Sequence, residues 1–352
     1  MHVCMIVPNG AVKGGIASVV NGYRGSVLER RCRITYIESY QDGSKWDKLK
    51  KALKGYWAFR RLLKKDRPDL VHIHSSFGPS FYRKMPFILW SAARGIPVVN
   101  HIHGAEFDNF YEKAPASKKR RVRRVYRKCT RFIVLSREWK EKIAQIVSAD
   151  RIDVIENYCV LPEKLSNAER RQNQILFLGA LEERKGCCDI PVIFESVKRK
   201  CPNARLVMAG DGQMKQIREA FDQKNLLSDV EFTGWVRGPE KDKILRQSAV
   251  FLFPSYNEGM PMAVLEAMGY GLGVVTTTVG GIPQLIAHGR SGFLEVPGDL
   301  TAMAEDVIKL IQDDKLCRNM GEAARETVEQ KYSLKIHLQK LEETYRKACL
   351  TK

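Results

Sequence analysis

The chain has 352 residues, of which 44% are hydrophobic and 28% are charged, and it carries a net charge of +19. This length exceeds the usual size of one hydrophobic core and favours two domains over a single large barrel. No apolar run approaches the roughly 18 residues of a membrane span, and the nine cysteines contain no C-x-x-C pair. These features argue against a membrane-spanning helix, a disulfide framework and a cysteine-based zinc site.

The positive charge is concentrated in the first half of the chain. Residues 1–165 carry 33 Lys and Arg against 15 Asp and Glu, whereas residues 166–352 carry 26 against 25. Such asymmetry predicts an anionic partner for the first half, either a nucleic acid or an acidic membrane face. The opening residues 1–7 lack the basic region and cleavage site of a signal peptide, so we expect a cytoplasmic protein.

Short β-branched runs alternate with longer helical patterns along most of the chain. Runs at 71–74, 97–103 and 131–135 form a first series, the polar stretch 163–173 interrupts it, and a second series starts at Gln174. This alternation predicts an α/β fold of two doubly wound, Rossmann-like domains with parallel sheets. We expect domains at 1–165 and 172–330, a closing helix within 331–352, and a ligand in the cleft between the domains, at the carboxyl ends of the strands.

A glycine cluster containing Gly14 and Gly15 follows the first predicted strand and precedes a helical run that begins near Ala17. Glycines at such a position let backbone amides approach an anion at the helix N-terminus, although a simple tight turn is the alternative. Ile16 stands where a phosphate-binding P-loop needs lysine, and the dinucleotide pattern G-x-G-x-x-G is absent.

Residues 46–65 predict a helix that lies in a membrane interface. Apolar residues recur near helical spacing, and basic residues occupy the remaining faces, which favours attraction to anionic lipid over a merely solvated surface. The run 118–124 adds further basic residues, but no RRM, KH or helix-turn-helix pattern accompanies it, so we expect no nucleic-acid partner. The apolar positions are Trp46, Leu49, Leu53, Trp57 and Leu63, and the lysines assigned to the membrane or acceptor are Lys50, Lys51, Lys54, Lys64 and Lys65.

Two H-x-H segments place four histidines on neighbouring predicted strands, at His72, His74, His101 and His103. Alternate residues on a strand face the same way, so the imidazoles could gather and bind a metal, as in a metal hydrolase. Only Glu106 or Asp108 could complete such a site, and it would leave the features of the second domain unexplained. We therefore expect no metal and no cofactor.

The strongest motif is N-E-G-M-P-M-A-V-L-E at 257–266, which follows a predicted strand and opens a helix. Unpaired amides from Gly259 onward suit a diphosphate at the positive end of that helix. If Glu258 and Glu266 lay on one helix, they would be about 12 Å apart along its axis. That separation suits a nucleotide sugar, with one carboxylate on the hexose and the other on the ribose. The alternatives are a helix-dipole partner for Glu258 and a solvated face for Glu266.

The order of these features resembles the retaining glycosyltransferases of family 4, which have the GT-B fold of two facing Rossmann-like domains. The resemblance covers essentially the whole chain. It rests on Gly14-Gly15, His103-Gly104, Gly179 through Lys185-Gly186, Ala209-Gly210-Asp211-Gly212, Phe232-Thr233-Gly234, the two glutamates, and Gly280-Gly281-Ile282-Pro283.

The resemblance implies catalytic roles for His103, Glu258 and Lys185, with Lys185 neutralising the donor diphosphate as the glycosidic bond breaks. His103 would contact the donor sugar and Val236 the nucleotide base. The chain departs from the family pattern at Ala180, where arginine is common and for which Arg184 could substitute, and at Tyr158, where glycine is usual. The implied donor-binding residues are Gly14, Gly15, Arg184, Lys185, Val236, Glu258, Gly259, Met260, Pro261, Met262, Ala263 and Glu266.

The implied activity is transfer of a hexose-type sugar from a nucleotide-diphosphate donor, expected to be a UDP-sugar, to a saccharide or lipid-linked saccharide. The transfer would retain the anomeric configuration, need no metal, and serve cell-surface polysaccharide or glycoconjugate synthesis at the inner face of the plasma membrane. The basic first domain would bind the acceptor, and the closing helix within 331–352 would cross back to that domain, as in the family. The alternatives are a GT-B sugar-nucleotide epimerase, which needs no acceptor, and a basic nucleic-acid-binding protein.

Overall fold

The computed structural model describes residues 1–104, 107–163 and 169–350. The chain divides into two compact units, the first formed by Met1–Asn157 with Leu334–Lys352 and the second by Tyr158–Ser333. Each unit contains one six-stranded parallel sheet. None of the helices in the described ranges is both long enough and apolar enough to cross a lipid bilayer.

The sheet of the first unit has the strand order β2-β1-β3-β4-β5-β6. Its central strands are buried along their whole length, as expected for a parallel sheet covered on both faces. The strands are β1 (His2–Pro8), β2 (Arg33–Tyr40), β3 (Leu70–Ser75), β4 (Val98–Ile102), β5 (Arg131–Val134) and β6 (Ile152–Val154).

Right-handed crossovers place the helices of this unit on both faces of the sheet. The two helices between β1 and β2 lie on one face, and the helices that follow β2, β3, β4 and β5 lie on the other. The helices are α1 (Gly15–Tyr23), α2 (Val27–Arg31), α3 (Lys45–Lys65), α4 (Pro79–Ala92), α5 (Ala116–Tyr126) and α6 (Arg137–Ala144).

The second unit repeats this architecture with the strand order β12-β11-β10-β7-β8-β9. The chain reverses direction across the sheet between β7 and β10, and open α/β sheets bind ligands at the carboxyl ends of the strands at such a point. The strands are β7 (Arg171–Leu178), β8 (Arg205–Ala209), β9 (Val230–Gly234), β10 (Ser248–Phe253), β11 (Gly273–Thr277) and β12 (Phe293–Glu295), and the helices are α7 (Ile190–Lys200), α8 (Met214–Asp222), α9 (Gly238–Gln247), α10 (Met262–Gly269), α11 (Ile282–Leu285), α12 (Leu300–Gln312) and α13 (Asp314–Lys331).

The last helix, α14 (Leu334–Leu350), packs against β3 and β4 and so belongs to the first unit. Nε2 of His337 forms a 2.7 Å hydrogen bond with the hydroxyl of Tyr23 on α1. The hydroxyl of Tyr345 lies 2.6 Å from Nδ1 of His72 on β3. An ion pair at 3.0 Å joins Glu342 to Arg31. These contacts place α14 on the same face of the sheet as α1.

Candidate active site

Lys185 and Glu258 form a buried ion pair at the carboxyl ends of β7 and β10. Their side chains are 15% and 7% exposed, and the Lys185 ammonium donates to Oε1 of Glu258. The ammonium also lies 5.2 Å from the centroid of the Phe253 ring. Two residues that the family resemblance assigns to the reaction are therefore in direct contact, 73 positions apart in the sequence.

Hydrogen bonds to the Arg184 carbonyl join the turn after β7 to the segment after β10. The carbonyl of Arg184 accepts hydrogen bonds from the Tyr256 amide at 2.9 Å and the Ser255 hydroxyl at 3.0 Å. The Ser255 hydroxyl also lies 3.0 Å from Oε1 of Glu258. Gly186 makes this approach possible, because its φ of +69° is left-handed and a Cβ atom there would overlap the Pro254 carbonyl.

Two further glycines, Gly280 and Gly281, pack against the backbone of the segment 257–263. A Cβ atom on Gly280 would overlap the Glu258 carbonyl, and the amide of Gly281 donates to the Gly259 carbonyl at 2.8 Å. Helix α10 then begins at Met262, and its cap residue Pro261 provides no side-chain hydrogen bond to the first turn. The first amides of α10 therefore have neither intrahelical nor capping side-chain partners, which suits an anionic ligand.

The two glutamates do not lie on one helix, so the expected separation of eight helical positions is wrong. Glu258 precedes α10, whereas Glu266 lies within it and pairs with Lys241 of α9 at 2.7 Å. The physical reason is Pro261, which disfavours helical backbone at Met260 and sets the start of the helix after itself. The motif still follows a strand and opens a helix, as predicted.

The remaining donor-site candidates of the second unit lie on nearby turns. Val236 is buried and follows β9, whose last residue, Gly234, has a φ of +71°. Arg184 points its guanidinium at Glu182, at 2.8 Å, and both side chains are exposed. Met260 is buried, whereas Met262 and Ala263 are half-buried at the start of α10.

In the first unit, Gly14 and Gly15 form the start of α1. Gly14 is the cap residue, with a φ of +142° that favours glycine, and it offers no side-chain hydrogen bond to the helix. A Cβ atom at Gly14 would meet no atom within 4 Å. The amides of this helix start are thus approachable, as expected for a loop that contacts a phosphate.

His103 follows β4, and its Nε2 lies 2.9 Å from Nδ1 of His74. Burial is the largest cause that lowers the pKa of His103, to about 3, and electrostatic interactions with His337 and Lys84 lower it further. His103 is therefore neutral at pH 7 and can donate or accept a hydrogen bond without carrying charge. Glu106, one of the two carboxylates considered for a metal site, lies outside the described residues.

Helix α3 has two apolar faces. Gly55, Phe59 and Leu63 are buried on the side that packs against β2 and the core. The opposite side exposes Trp46, Leu49, Leu53 and Trp57, whose exposed fractions are 71%, 49%, 55% and 65%.

Two residues of the predicted membrane face are placed differently from the expectation. Leu63 belongs to the core, so grouping it with the tryptophans was wrong: it lies about 100° around the helix from them. Lys51 is half-buried and pairs with Glu38 of β2. Lys50, Lys54, Lys64 and Lys65 are exposed.

A basic depression lies on α5, where only the basic run 118–124 was identified from the sequence. It has a volume of ≈ 700 Å³ and lies on one side of the helix, on the same sheet face as α3. The signal in the sequence was the recurrence of basic residues every three or four positions within 116–128, which places their side chains on one side of a helix. Its lining residues are Ala116, Lys119, Arg120, Arg123, Arg124, Arg127 and Lys128.

Two family models match consecutive parts of the chain. The glycosyl transferase 4-like domain matches residues 2–158, and glycosyl transferases group 1 matches residues 163–327. The chain is 28% identical over 330 residues to the UDP-Gal:alpha-D-GlcNAc-diphosphoundecaprenol alpha-1,3-galactosyltransferase of Escherichia coli, covering 84% of this chain and 80% of that protein. Two further relatives are 33% and 36% identical, but the chain spans only 32% and 34% of their length.

Solved structures match over nearly the whole chain. Sucrose-phosphate synthase from Thermosynechococcus elongatus superimposes with a TM-score of 0.83 at 16% identity, over 100% of both chains. HepE from Anabaena in complex with UDP-glucose superimposes with a TM-score of 0.75 at 18% identity, over 98% of this chain and 100% of that chain. At these identities the matches show the fold alone, and the predicted α/β class with two Rossmann-like units is confirmed. With both family models and the GT-B fold in agreement, the chain belongs to the family 4 glycosyltransferases.

Proposed function

We propose that this protein transfers a hexose-type sugar from a UDP-sugar to a saccharide or lipid-linked saccharide, with retention of configuration and without a metal ion at the donor site. The observation that carries the donor assignment is the buried pair of Lys185 and Glu258 beside the uncapped start of α10. The Escherichia coli relative is named for UDP-Gal and a diphosphoundecaprenol-linked acceptor, and the HepE structure contains UDP-glucose. Both support the proposed substrate classes.

The diphosphate would lie between Lys185 and the amides of Gly259, Met262 and Ala263. Its negative charge grows as the bond to the sugar breaks, so the ammonium and the helix amides stabilise the transition state more than the ground state. Arg184 would assist only if its guanidinium left Glu182. This supply of positive charge is the reason why we propose no metal for the donor.

Binding of the donor would exchange the partner of Lys185. In the structure the ammonium is neutralised by Glu258, and a diphosphate would offer it a second anionic partner. Glu258 is then available to accept hydrogen bonds from the hexose hydroxyls while Ser255 fixes its orientation. Glu266, held through Oε1 by Lys241, would accept hydrogen bonds from the ribose.

The other site residues keep the roles that the family resemblance implies. The backbone at Val236 would meet the base, and the loop at Gly14 and Gly15 would contact the diphosphate. His103, neutral at pH 7, would hydrogen-bond the donor sugar. The assignment of nucleotide-sugar binding to residues 172–330 and of acceptor binding to residues 1–165 is part of this proposal.

A lipid-linked acceptor requires the enzyme to reach a membrane surface, and α3 supports such a role. Its exposed tryptophans and leucines point away from the core, and Lys50, Lys54 and Lys64 lie within about 100° of the centre of this apolar stripe around the helix. An apolar stripe flanked by cations is the pattern of helices that lie in an anionic membrane interface. We therefore propose peripheral binding at the cytoplasmic face of the membrane, with α3 as the contact.

The donor assignment is tested by the thermal stability of the full chain with UDP in the presence of a chelator. UDP should raise Tm, Lys185→Gln should reduce the rise, and Lys215→Gln, an exposed lysine on α8, should not. Stabilisation by UDP only together with a divalent metal would refute the metal-free donor site.

The reaction class is tested with a labelled UDP-sugar and membrane lipid extract. NMR of the product should show the anomeric configuration of the donor. Conversion of the donor to an isomeric sugar in the absence of any acceptor would instead identify a sugar-nucleotide epimerase.

A further inference from the structure

Five of the seven histidines of the chain gather on the face of the first unit's sheet that α14 covers. His74 on β3 pairs in register with His101 on β4, and the ring centroids of His72 and His101 lie 5.5 Å apart. His103 and His337 complete the cluster, at 4.0 Å and 6.4 Å from the ring of His101. The proposed transfer reaction uses only His103, so the other four rings have no assigned role.

The ring nitrogens of the three central histidines divide into an outer and an inner set. Nδ1 of His72 lies 2.6 Å from the hydroxyl of Tyr345, and Nδ1 of His74 lies 2.9 Å from Nε2 of His103. Nε2 of His72, Nε2 of His74 and both nitrogens of His101 are buried without a hydrogen-bond partner among the described residues. A neutral imidazole with both nitrogens unpaired in the core is destabilising, so these inner nitrogens indicate a ligand.

The three central histidines are close enough to share one ion. One nitrogen from each of His72, His74 and His101 lies within 4.8 Å of the other two. Around a tetrahedral zinc ion, with nitrogens at about 2.0–2.1 Å, they would be about 3.4 Å apart. The 4.8 Å limit exceeds this spacing by about 1.4 Å, which rotations of the rings would close on metal binding.

The outer contacts of His72 and His74 are of the kind that metal-binding histidines make. Such a histidine almost always uses its second ring nitrogen to bond a neighbouring group, which fixes the tautomer and the orientation of the ring. Tyr345 does this for His72, and His103 does it for His74.

We propose that His72, His74 and His101 form a binding site for a divalent transition metal ion, with Zn²⁺ as the best match to three imidazole ligands. The ion would join β3 to β4 beneath α14 and stabilise the first unit. Because the three rings are at most 1% exposed, the role is structural. None of the three ligands is a proposed donor-binding residue, although His74 contacts His103.

The test uses tag-free full-length protein, prepared without chelator, with its metal content measured by mass spectrometry. We expect about one zinc ion per chain. Chelated protein should bind Zn²⁺ again, and Co²⁺ should give the visible absorption of a low-symmetry nitrogen site. His101→Gln should weaken Zn²⁺ binding at least tenfold, whereas His288→Gln, an exposed histidine of the second unit, should not.

Substoichiometric zinc together with no Co²⁺ spectrum would overturn the proposal, and both measurements use the wild-type chain, so they do not depend on whether a variant folds. Zn²⁺ binding by His101→Gln at wild-type strength would overturn it as well, by placing the ion elsewhere. UDP binding measured with and without chelator separates this inference from the proposed function. We expect the UDP affinity to be the same in both conditions.

Discussion

Replacing Lys50, Lys54, Lys64 and Lys65 of α3 with glutamate should release the protein from anionic vesicles. All four side chains are exposed and none packs into the core, so the fold should tolerate the change. Lys51 is left in place, because a glutamate at that position of α3 would lie next to Glu38 of β2, and the repulsion would destabilise the packing of the helix. The variant thus isolates the charge of the proposed membrane surface.

The expected magnitude follows from the number of cations. Each lysine near an anionic surface contributes about 1 kcal/mol at low ionic strength. Losing four such contributions weakens partitioning by about a thousandfold, and the four added carboxylates add repulsion. The Debye length falls from about 10 Å at 0.1 M salt to about 3 Å at 1 M, so the wild-type protein should also dissociate partly at high salt.

The assay is co-sedimentation with vesicles containing phosphatidylglycerol or only neutral lipid, at low and high salt, beside UDP binding. The control variant carries the same charge change on exposed lysines of the second unit, Lys200, Lys215, Lys315 and Lys331. The α3 variant should lose sedimentation and keep UDP affinity. Unchanged sedimentation of the α3 variant would refute α3 as the membrane contact, and an equal loss in the control would show that net charge governs binding.

Three further predictions concern the donor site and the core. Glu266→Gln should raise KM for the donor, whereas Glu258→Gln should mainly lower kcat; steady-state kinetics that show the same loss of affinity in both, with normal turnover, would reject this division. Gly186→Ala should lower the free energy of unfolding by more than the about 1–2 kcal/mol that a left-handed alanine costs, because the new Cβ atom would overlap the Pro254 carbonyl. The matched control is Gly95→Ala, since Gly95 has a φ of +63° and no atom lies within 4 Å of its Cβ position. Equal losses of stability for the two variants in denaturant titrations would contradict the overlap. Burial lowers the pKa of Lys84 well below 10.5, so unfolding takes up a proton at pH values between the folded and unfolded pKa, and stability relative to Lys84→Met should rise with pH up to about 10. A pH-independent difference between the two proteins in denaturant titrations would argue against the lowered pKa of Lys84.

The apolar repeat of α3 shows what sequence periodicity can and cannot predict. The repeat of apolar residues correctly predicted a helix at 46–65, because the 3.6-residue period is a local property of the chain. It did not separate the stripe that packs on β2 from the stripe that faces solvent. Gly55 decides that, since a side chain there would overlap the Glu38 carbonyl, so this side alone can approach the strand closely.

The sequence by itself determined the alternation of strands and helices, the family, and the identity of the glutamates and Lys185, since these depend on local patterns and on residue order. Only the tertiary structure decided that Lys185 contacts Glu258, that Glu258 lies before α10, and that α14 brings His337 and Tyr345 to the histidines of β3 and β4. These contacts join residues 73 and 273 positions apart. They depend on the order in which parallel strands pair and on where a helix packs across them, and no local period in the sequence encodes either.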